Sequence, residues 1–398
     1  MKTGQSIQPA ERLEKIEFSP IRIILERVRE QKELGETIYS FCAGEPDFPT
    51  PQPIKEAVCQ ALLHDRTHYS SNRGVLELRK ETAKRIKQDT GVSYEPESEL
   101  LITTGAAEAI EHVMEAFVNP GDEIIIPTPA FMNYKYAAKL CGAEIVEVPM
   151  LPEEEYGLNV DRLKKAVTPK TRMIVLNNPC NPTGAVYEKE ALQELCQFAA
   201  NENLLLVSDE IYSTLTYEDS RFYSVAAFPG MKEQAIVING FSKAYAMTGW
   251  RVGYLAASAD KISSLLKVHQ YTTTSGNTFV QEGLAAAVNL PETNRQTEEM
   301  RRCFAQRKRY IAEKLAHIEG MRFTPPRGAF YLLADISETG LTGEEFAEAL
   351  LCQEKVAVVP AKGFGAGLDY CIRLSFSASD ETIEEGMRRL KTFIRKIR

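Results

Sequence analysis

Short apolar segments alternate with amphipathic helical patterns through the middle of the chain. Each apolar segment is only a few residues long, and helical spacing of apolar residues appears between them, as in residues 109–117 and 188–201. A strand that is joined to its neighbour through a helix runs parallel to it, so the alternation predicts an α/β fold with a mostly parallel, doubly wound sheet. The predicted strands cover residues 100–103, 123–127, 144–148, 172–176, 204–208, 236–239 and 252–255.

A different pattern begins after residue 297. A long charged helix is predicted from about residue 298 to 318, followed by shorter strands and a terminal amphipathic helix. A chain of 398 residues also exceeds the usual size of one domain. We therefore predict a large domain over residues 50–290 and a smaller α+β domain formed by residues 1–49 and 291–398. The strands predicted in the smaller domain cover residues 329–333, 356–359 and 371–374.

Composition argues against several classes of protein. The net charge of −8 is unlike that of nucleic-acid-binding proteins, which usually carry a basic face. No apolar run is long enough to cross a membrane and no secretion signal precedes residue 15, so we expect a cytoplasmic protein. The eight cysteines form no CxxC pair. His64 and His68 are spaced to share a helix face but have no evident third ligand, so no metal site is expected.

Residues 240–253, GFSKAYAMTGWRVG, contain the most informative lysine of the chain. Lys243 follows a predicted apolar strand and stands among small residues, which leave room for a planar ring. A lysine in an apolar, sparsely hydrated site has a lowered pKa and can act as an amine nucleophile. Taken alone, Lys243 and Arg251 would be better interpreted as solvent-facing side chains.

Three further polar segments change that interpretation. Residues 177–184 (NNPCNPTG) and 208–212 (SDEIY) follow two neighbouring predicted strands, where ligands bind in open α/β sheets. Residues 103–108 (TTGAAE) follow the first strand and open a helix, whose backbone N–H groups and dipole favour a phosphate. Together with the segment around Lys243, these loops predict a site for one phosphorylated aromatic cofactor.

These motifs resemble those of the class I/II aminotransferases, enzymes of the aspartate-aminotransferase fold that depend on pyridoxal 5′-phosphate (PLP). The resemblance extends from Gly44 to Arg373. It implies that Lys243 is the catalytic Schiff-base lysine and that Asp209 faces the pyridine nitrogen and keeps it protonated. It also implies that Asn181 and Tyr212 bind the phenolic oxygen of the cofactor, and that Phe131 stacks on its ring.

The same resemblance assigns residues to the cofactor phosphate. Arg251 corresponds to the phosphate-binding arginine, and backbone N–H groups at the start of the helix add to it. One position departs from the pattern, because some members carry a serine three residues before the lysine, where this chain has Gly240. The remaining implied phosphate contacts are Gly105, Ala106, Ala107 and Ser242.

The resemblance also assigns the residues that bind the substrate and one that reaches the neighbouring subunit. Arg373 corresponds to the arginine that grips the substrate α-carboxylate through two parallel hydrogen bonds, a geometry that lysine cannot supply. Gly44 lies in the loop that closes over that carboxylate, and Asn181 is expected beside it. Tyr69 corresponds to a residue that reaches the phosphate of the neighbouring subunit, which implies a homodimer with shared active sites.

The substrate preference follows from a missing cation. An acidic side chain needs a cation to meet it, but no lysine or arginine lies between Lys267 and Arg295, and residue 107 is alanine. Residues 129–134 and 240–243 are most similar to the aromatic-amino-acid branch of the family. We therefore expect a neutral, aromatic or other large apolar L-amino acid as donor and 2-oxoglutarate as acceptor.

One alternative function remains at this point, and a second is disfavoured. Another PLP reaction on the same fold, such as that of a C–S β-lyase or an aminocyclopropane-carboxylate synthase, would use nearly the same cofactor-binding residues. A PLP-sensing transcriptional regulator would need a DNA-binding domain, and only about forty residues precede Gly44.

Overall fold

The computed structural model describes residues 7–217 and 220–398. All seven strands predicted for the central sheet are present, with bounds within two residues of those expected. The strands are β1 Tyr39–Ser40, β2 Leu100–Thr103, β3 Glu123–Thr128, β4 Glu144–Pro149, β5 Thr171–Asn177, β6 Leu205–Asp209, β7 Ala235–Gly240, β8 Gly253–Ala256, β9 Arg322–Phe323, β10 Tyr331–Asp335, β11 Val356–Ala357, β12 Val359–Pro360 and β13 Cys371–Ser375.

Helices connect most of these strands. Their bounds are α1 Pro20–Glu33, α2 Gln52–Leu63, α3 Leu76–Thr90, α4 Ala106–Phe117, α5 Asn133–Leu140, α6 Val160–Ala166, α7 Lys189–Asn201, α8 Met231–Gln234, α9 Ala259–Thr272, α10 Thr278–Ala287, α11 Pro291–Ala316, α12 Gly343–Glu354 and α13 Asp380–Ile397. Across the described residues, no helix combines the length and the apolar character needed to cross a membrane.

The central sheet is mostly parallel, as the alternation of strands and helices predicts. Its seven strands lie in the order β2-β8-β7-β6-β5-β3-β4, and β8 pairs antiparallel with both of its neighbours. Successive side chains of a strand point to opposite faces. Val175 therefore packs into one core with α4, while Ile174 and Leu176 pack into the core on the other face. Helices cover both faces, which explains why β5 and β6 are almost wholly buried.

A smaller α+β part contains a second sheet. Strands β12, β13, β10 and β9 form an antiparallel sheet, and β1 pairs in parallel with β11. That pairing joins the segment near residue 40 to the C-terminal third of the chain, as expected for the N-terminal segment. The division at residues 49/50 and 290/291 remains our proposal.

Three details of the smaller part differ from expectation. Helix α11 begins at Pro291, seven residues earlier than predicted, because proline is well suited to the first turn of a helix. The predicted strand 356–359 is two short strands, since β11 pairs with β1 whereas β12 pairs with β13. Strands β1 and β9, of two residues each, were not predicted.

The ends of the central strands position the site. Strand β5 ends at Asn177, β6 at Asp209 and β7 at Gly240, all at one edge of the sheet because these strands are parallel. Strand β2 ends at Thr103 and is followed by the N-terminus of α4.

Candidate active site

Lys243 lies three residues beyond the end of β7 and is partly buried. Its Nζ donates a hydrogen bond of 2.6 Å to the carbonyl oxygen of Gly44. Burial lowers the pKa of Lys243 to about 8, an effect that Glu45 opposes and Arg251 reinforces. The side chain therefore has the character of an amine that loses its proton readily.

Asp209 is buried at the end of β6. Its Oδ2 accepts a hydrogen bond of 2.7 Å from the hydroxyl of Tyr134, and its Oδ1 accepts one of 3.1 Å from the backbone N–H of Ile211. Burial raises the pKa of Asp209 to about 6, while the Tyr134 hydroxyl, the Ile211 N–H and the charge of Lys243 act in the opposite direction. At neutral pH the carboxylate is thus mostly ionised inside the protein.

Tyr134 is a site residue that sequence reasoning missed. It lies on α5, is 1% exposed, and its ring meets that of Phe131 edge-on with 6.1 Å between ring centroids. Tyr134 belongs to the segment 129–134 and lies three residues after Phe131, but neither fact reveals that its hydroxyl reaches Asp209.

The start of α4 and Arg251 form a small cradle. Gly105 has φ +84°, and a Cβ on it would lie 2.5 Å from Nη2 of Arg251. Arg251 itself is exposed, and it donates to the carbonyl oxygens of Thr248 and Thr104 at 3.0 and 3.4 Å. The first N–H groups of a helix lack intrahelical acceptors, so those of Ala106 and Ala107 add to the positive character of the cradle.

The structure also explains the glycine at position 240. A Cβ on Gly240 would lie 2.8 Å from the Cα of Gly253 and 3.0 Å from the carbonyl oxygen of Val252. Gly253 is in turn tightly packed, because its own Cβ would lie 2.9 Å from the backbone nitrogen of Ala106. The close approach of β7, β8 and the α4 start therefore leaves no room here for a serine.

Arg373 is a buried cation at the centre of β13, 1% exposed. Its guanidinium donates to Oδ1 of Asn181 at 3.1 Å and to the carbonyl oxygen of Cys42 at 2.9 Å. It also packs on the ring of Tyr331, 4.4 Å from the centroid. Among the described residues no carboxylate pairs with it, and its Nε has no hydrogen-bond partner. A buried charge without a counterion is costly, which indicates a binding site for an anion.

A tyrosine pair joins these groups. The hydroxyls of Tyr212 and Tyr331 lie 3.0 Å apart, and burial raises the pKa of Tyr212 well above its ordinary value. A Cβ on Gly44 would lie 2.9 Å from the hydroxyl oxygen of Tyr331. Gly44 thus contacts both Lys243 and the residue that stacks on Arg373, so the predicted lysine, tyrosine and arginine meet in one place.

The other predicted residues lie as follows. Phe131 is half-buried next to Tyr134, and Ser242 is buried after β7. Tyr69 is 87% exposed and is not part of this cluster. His64 and His68 do not share a helix face as their spacing suggests, because α2 ends at Leu63; both are exposed.

Comparison with known proteins identifies the family. A model of the family "Aminotransferase class I and II" matches residues 36–390. The chain is 40% identical to the aspartate aminotransferase of Pyrococcus abyssi, over 97% of this chain and 98% of that protein. It is 38% identical to the aromatic-amino-acid aminotransferase 2 of Thermococcus litoralis, over 97% and 98%. The structure of the Thermus thermophilus aspartate aminotransferase with maleate superposes with a TM-score of 0.92 at 34% identity, covering 98% of this chain and 100% of that one.

The chain therefore belongs to the class I and II aminotransferases, and its fold is that of the aspartate aminotransferases. It is an enzyme, a PLP-dependent transaminase.

Proposed function

We propose that the enzyme transfers the amino group of a neutral L-amino acid, aromatic or large and apolar, to 2-oxoglutarate, with Lys243 as the residue that bonds PLP. The observation that carries this proposal is the buried guanidinium of Arg373, which pairs with no carboxylate of the described residues and is close enough to Lys243 for their charges to interact. An α-carboxylate supplies the missing counterion, and both amino acids and 2-oxo acids have one.

The residues present fit PLP. The cradle of Gly105 and Arg251 has the backbone N–H groups and the cation that a phosphate requires, and it has no room for a Cβ. Asp209 offers a buried carboxylate to a protonated ring nitrogen, and Phe131 offers an aromatic face. The remaining groups assigned to the cofactor are Ala106, Ala107, Asn181, Tyr212 and Ser242. When bound, PLP supplies an aldehyde carbon that takes up amino groups and a ring that withdraws electrons.

The residues of the chain then have separate tasks. Nζ of Lys243, whose pKa is lowered to about 8, would take the proton from the substrate Cα and deliver it to the aldehyde-derived carbon of the cofactor. Arg373 orients the substrate through its carboxylate, and the burial of that contact excludes water. Asp209, ionised at neutral pH, stabilises positive charge on the ring nitrogen.

We also propose a homodimer with shared active sites. Tyr69 is 87% exposed on the isolated chain although it matches a residue of the active site. An aromatic side chain with that exposure is suited to contact a second subunit.

The donor preference is supported by the groups around Arg373. The rings of Tyr331 and Phe364 lie 4.4 and 5.4 Å from the guanidinium carbon, so two aromatic side chains border the proposed position of the substrate carboxylate. Lys135 is a cation of α5 that could otherwise meet an acidic substrate side chain. Its Nζ lies 2.7 Å from Oε1 of Glu147, so its charge is already paired. Aspartate is the competing donor, since the relative from Pyrococcus abyssi carries that name.

A screen of single amino acids tests this preference. We expect kcat/KM for phenylalanine or tyrosine to exceed that for aspartate by at least about tenfold. The reason is that burying the side-chain carboxylate of aspartate without a cation costs several times RT. The first half-reaction, followed by the change in cofactor absorbance, measures it without an acceptor. A higher kcat/KM for aspartate would contradict the proposed donor while leaving the transaminase assignment intact.

Replacing Tyr134 with phenylalanine tests the support of Asp209. Loss of the hydroxyl removes a hydrogen bond that lowers the pKa of Asp209, so this pKa should rise further above 6. The acid limb of the pH–kcat profile should move to higher pH, and kcat should fall by about tenfold, the effect of one hydrogen bond to a charged group.

Tyr136→Phe is the matched control. Tyr136 lies on the same helix, but its hydroxyl donates to the exposed Glu17 at 3.0 Å instead. The control should leave both kcat and the pH profile unchanged. An unchanged pH profile in Tyr134→Phe as well would show that Tyr134 does not support Asp209 in the reaction.

A further inference from the structure

Two buried histidines and a partly buried glutamate converge behind the phosphate cradle. Glu108 and His112 stand one turn apart on α4, and His269 approaches them from the last turn of α9. The side chains of both histidines are 1% exposed and that of Glu108 is 11% exposed. None of the three has a task in the transamination described above.

The three facing atoms form a nearly equilateral triangle. Oε1 of Glu108 lies 3.1 Å from Nε2 of His112 and 3.2 Å from Nδ1 of His269. The two ring nitrogens lie 3.2 Å from each other. Glu108 is held in this orientation, because its carboxylate also accepts from the backbone N–H of Thr104 and from the hydroxyl of Thr273.

Hydrogen bonds can join at most two sides of this triangle, because a ring nitrogen either donates or accepts. If both ring nitrogens carry a hydrogen directed at Glu108, the two nitrogens lie 3.2 Å apart with no hydrogen bond between them. If only one nitrogen carries a hydrogen, a lone pair of the other faces a lone pair of the carboxylate. A cation among the three atoms is attracted to all of them at once.

We propose that Glu108, His112 and His269 form a binding site for a divalent transition-metal ion of the zinc class. Two imidazoles and one carboxylate are a ligand set that zinc uses. Zinc–ligand bonds of about 2.0–2.1 Å at tetrahedral angles separate ligand atoms by about 3.3–3.4 Å, close to the three spacings observed. The ligands therefore need almost no rearrangement. The site is independent of the proposed substrate.

The surroundings of the triangle bear on how an ion reaches it and how strongly it is held. Thr272 is exposed, and its hydroxyl lies 3.4 Å from Nε2 of His112, so the cluster lies next to the surface at this residue. Nδ1 of His112 and Nε2 of His269 have no partner within the described part of the chain. Metal-bound histidines usually donate this second N–H, and its loss weakens binding by about 10–100-fold. We therefore expect an exchangeable ion.

Equilibrium dialysis of the untagged holoenzyme tests the site. After treatment with a chelator, the protein should take up one Zn²⁺ per subunit. His112→Gln and His269→Gln should each weaken Zn²⁺ binding by at least about tenfold. His317→Gln, which changes an exposed histidine far along the chain, should bind as the wild type does. Uptake that is absent in the wild type, or that persists at full strength in both variants, overturns the proposal.

X-ray absorption on the zinc-loaded wild type gives a second measurement that does not require the variants to fold. The spectrum should show nitrogen and oxygen ligands with the scattering of two imidazoles. Because the chain has eight cysteines, sulfur ligation would place the ion elsewhere and overturn the site.

Discussion

Replacing Lys243 with alanine is expected to lower the rate of transamination by at least about a thousandfold, because positioned acid–base groups contribute about 10²–10⁴-fold and this lysine also bonds the cofactor. Nζ of Lys243 reaches the Gly44 loop at 2.6 Å and has a pKa lowered to about 8. Single-turnover kinetics with excess enzyme measure the loss.

Two further measurements belong to this prediction. Borohydride reduction of the wild type, followed by peptide mapping, should place the pyridoxyl adduct on Lys243. Attachment of PLP to the apoenzyme requires the neutral amine, so its rate should fall about tenfold for each pH unit below about 8. Lys170→Ala, on an exposed turn before β5, should behave as the wild type. An adduct on another lysine would show that Lys243 is misassigned.

The fold was largely predictable because its signals are local. A strand buried on both faces must be apolar along its length. Polar residues at its carboxyl end therefore mark the edge of the sheet where a ligand binds, as at Asn177 and Asp209. The residue types at those ends, together with the motif around Lys243, therefore locate the candidate site from the sequence alone.

The contacts that the sequence did not predict depend on how separate helices and strands pack against each other. The partnership of Tyr134 with Asp209 joins residues 75 positions apart and depends on how α5 is rotated against β6. His112 and His269 are 157 positions apart, and no spacing rule relates two different helices. Gly240 looked like a missing ligand until the packing against Gly253 showed that no side chain fits.

The bounds of helices and strands in the smaller part were not fully predicted for another reason. The charged residues at the start of α11 hide its helical periodicity, so only Pro291 marks the beginning. Strands of two residues, such as β1 and β9, carry no periodicity at all and exist because a neighbouring strand offers hydrogen bonds.

Arg373→Ala should lower kcat/KM for amino acids by about two to three orders of magnitude. This is the effect expected when a desolvated, bidentate pair between an arginine and a carboxylate is lost. Asn181 and the Cys42 carbonyl hold the guanidinium in place, and Tyr331 supports its plane. Arg373→Lys keeps the charge but loses the planar fork, so it should recover only part of the loss. Steady-state kinetics with the preferred donor measure the series.

Reactions with amines that lack a carboxylate distinguish a loss of substrate binding from a general loss of structure. The Arg373→Ala variant should react with such amines nearly as well as the wild type, because the guanidinium has no group to grip in them. Arg322→Ala is the matched control: it removes an exposed arginine of the same small sheet that pairs with Asp335 at 2.8 Å, and such surface pairs contribute little. Equal losses for amino acids and for simple amines would mean that Arg373 supports the fold and does not bind the substrate carboxylate.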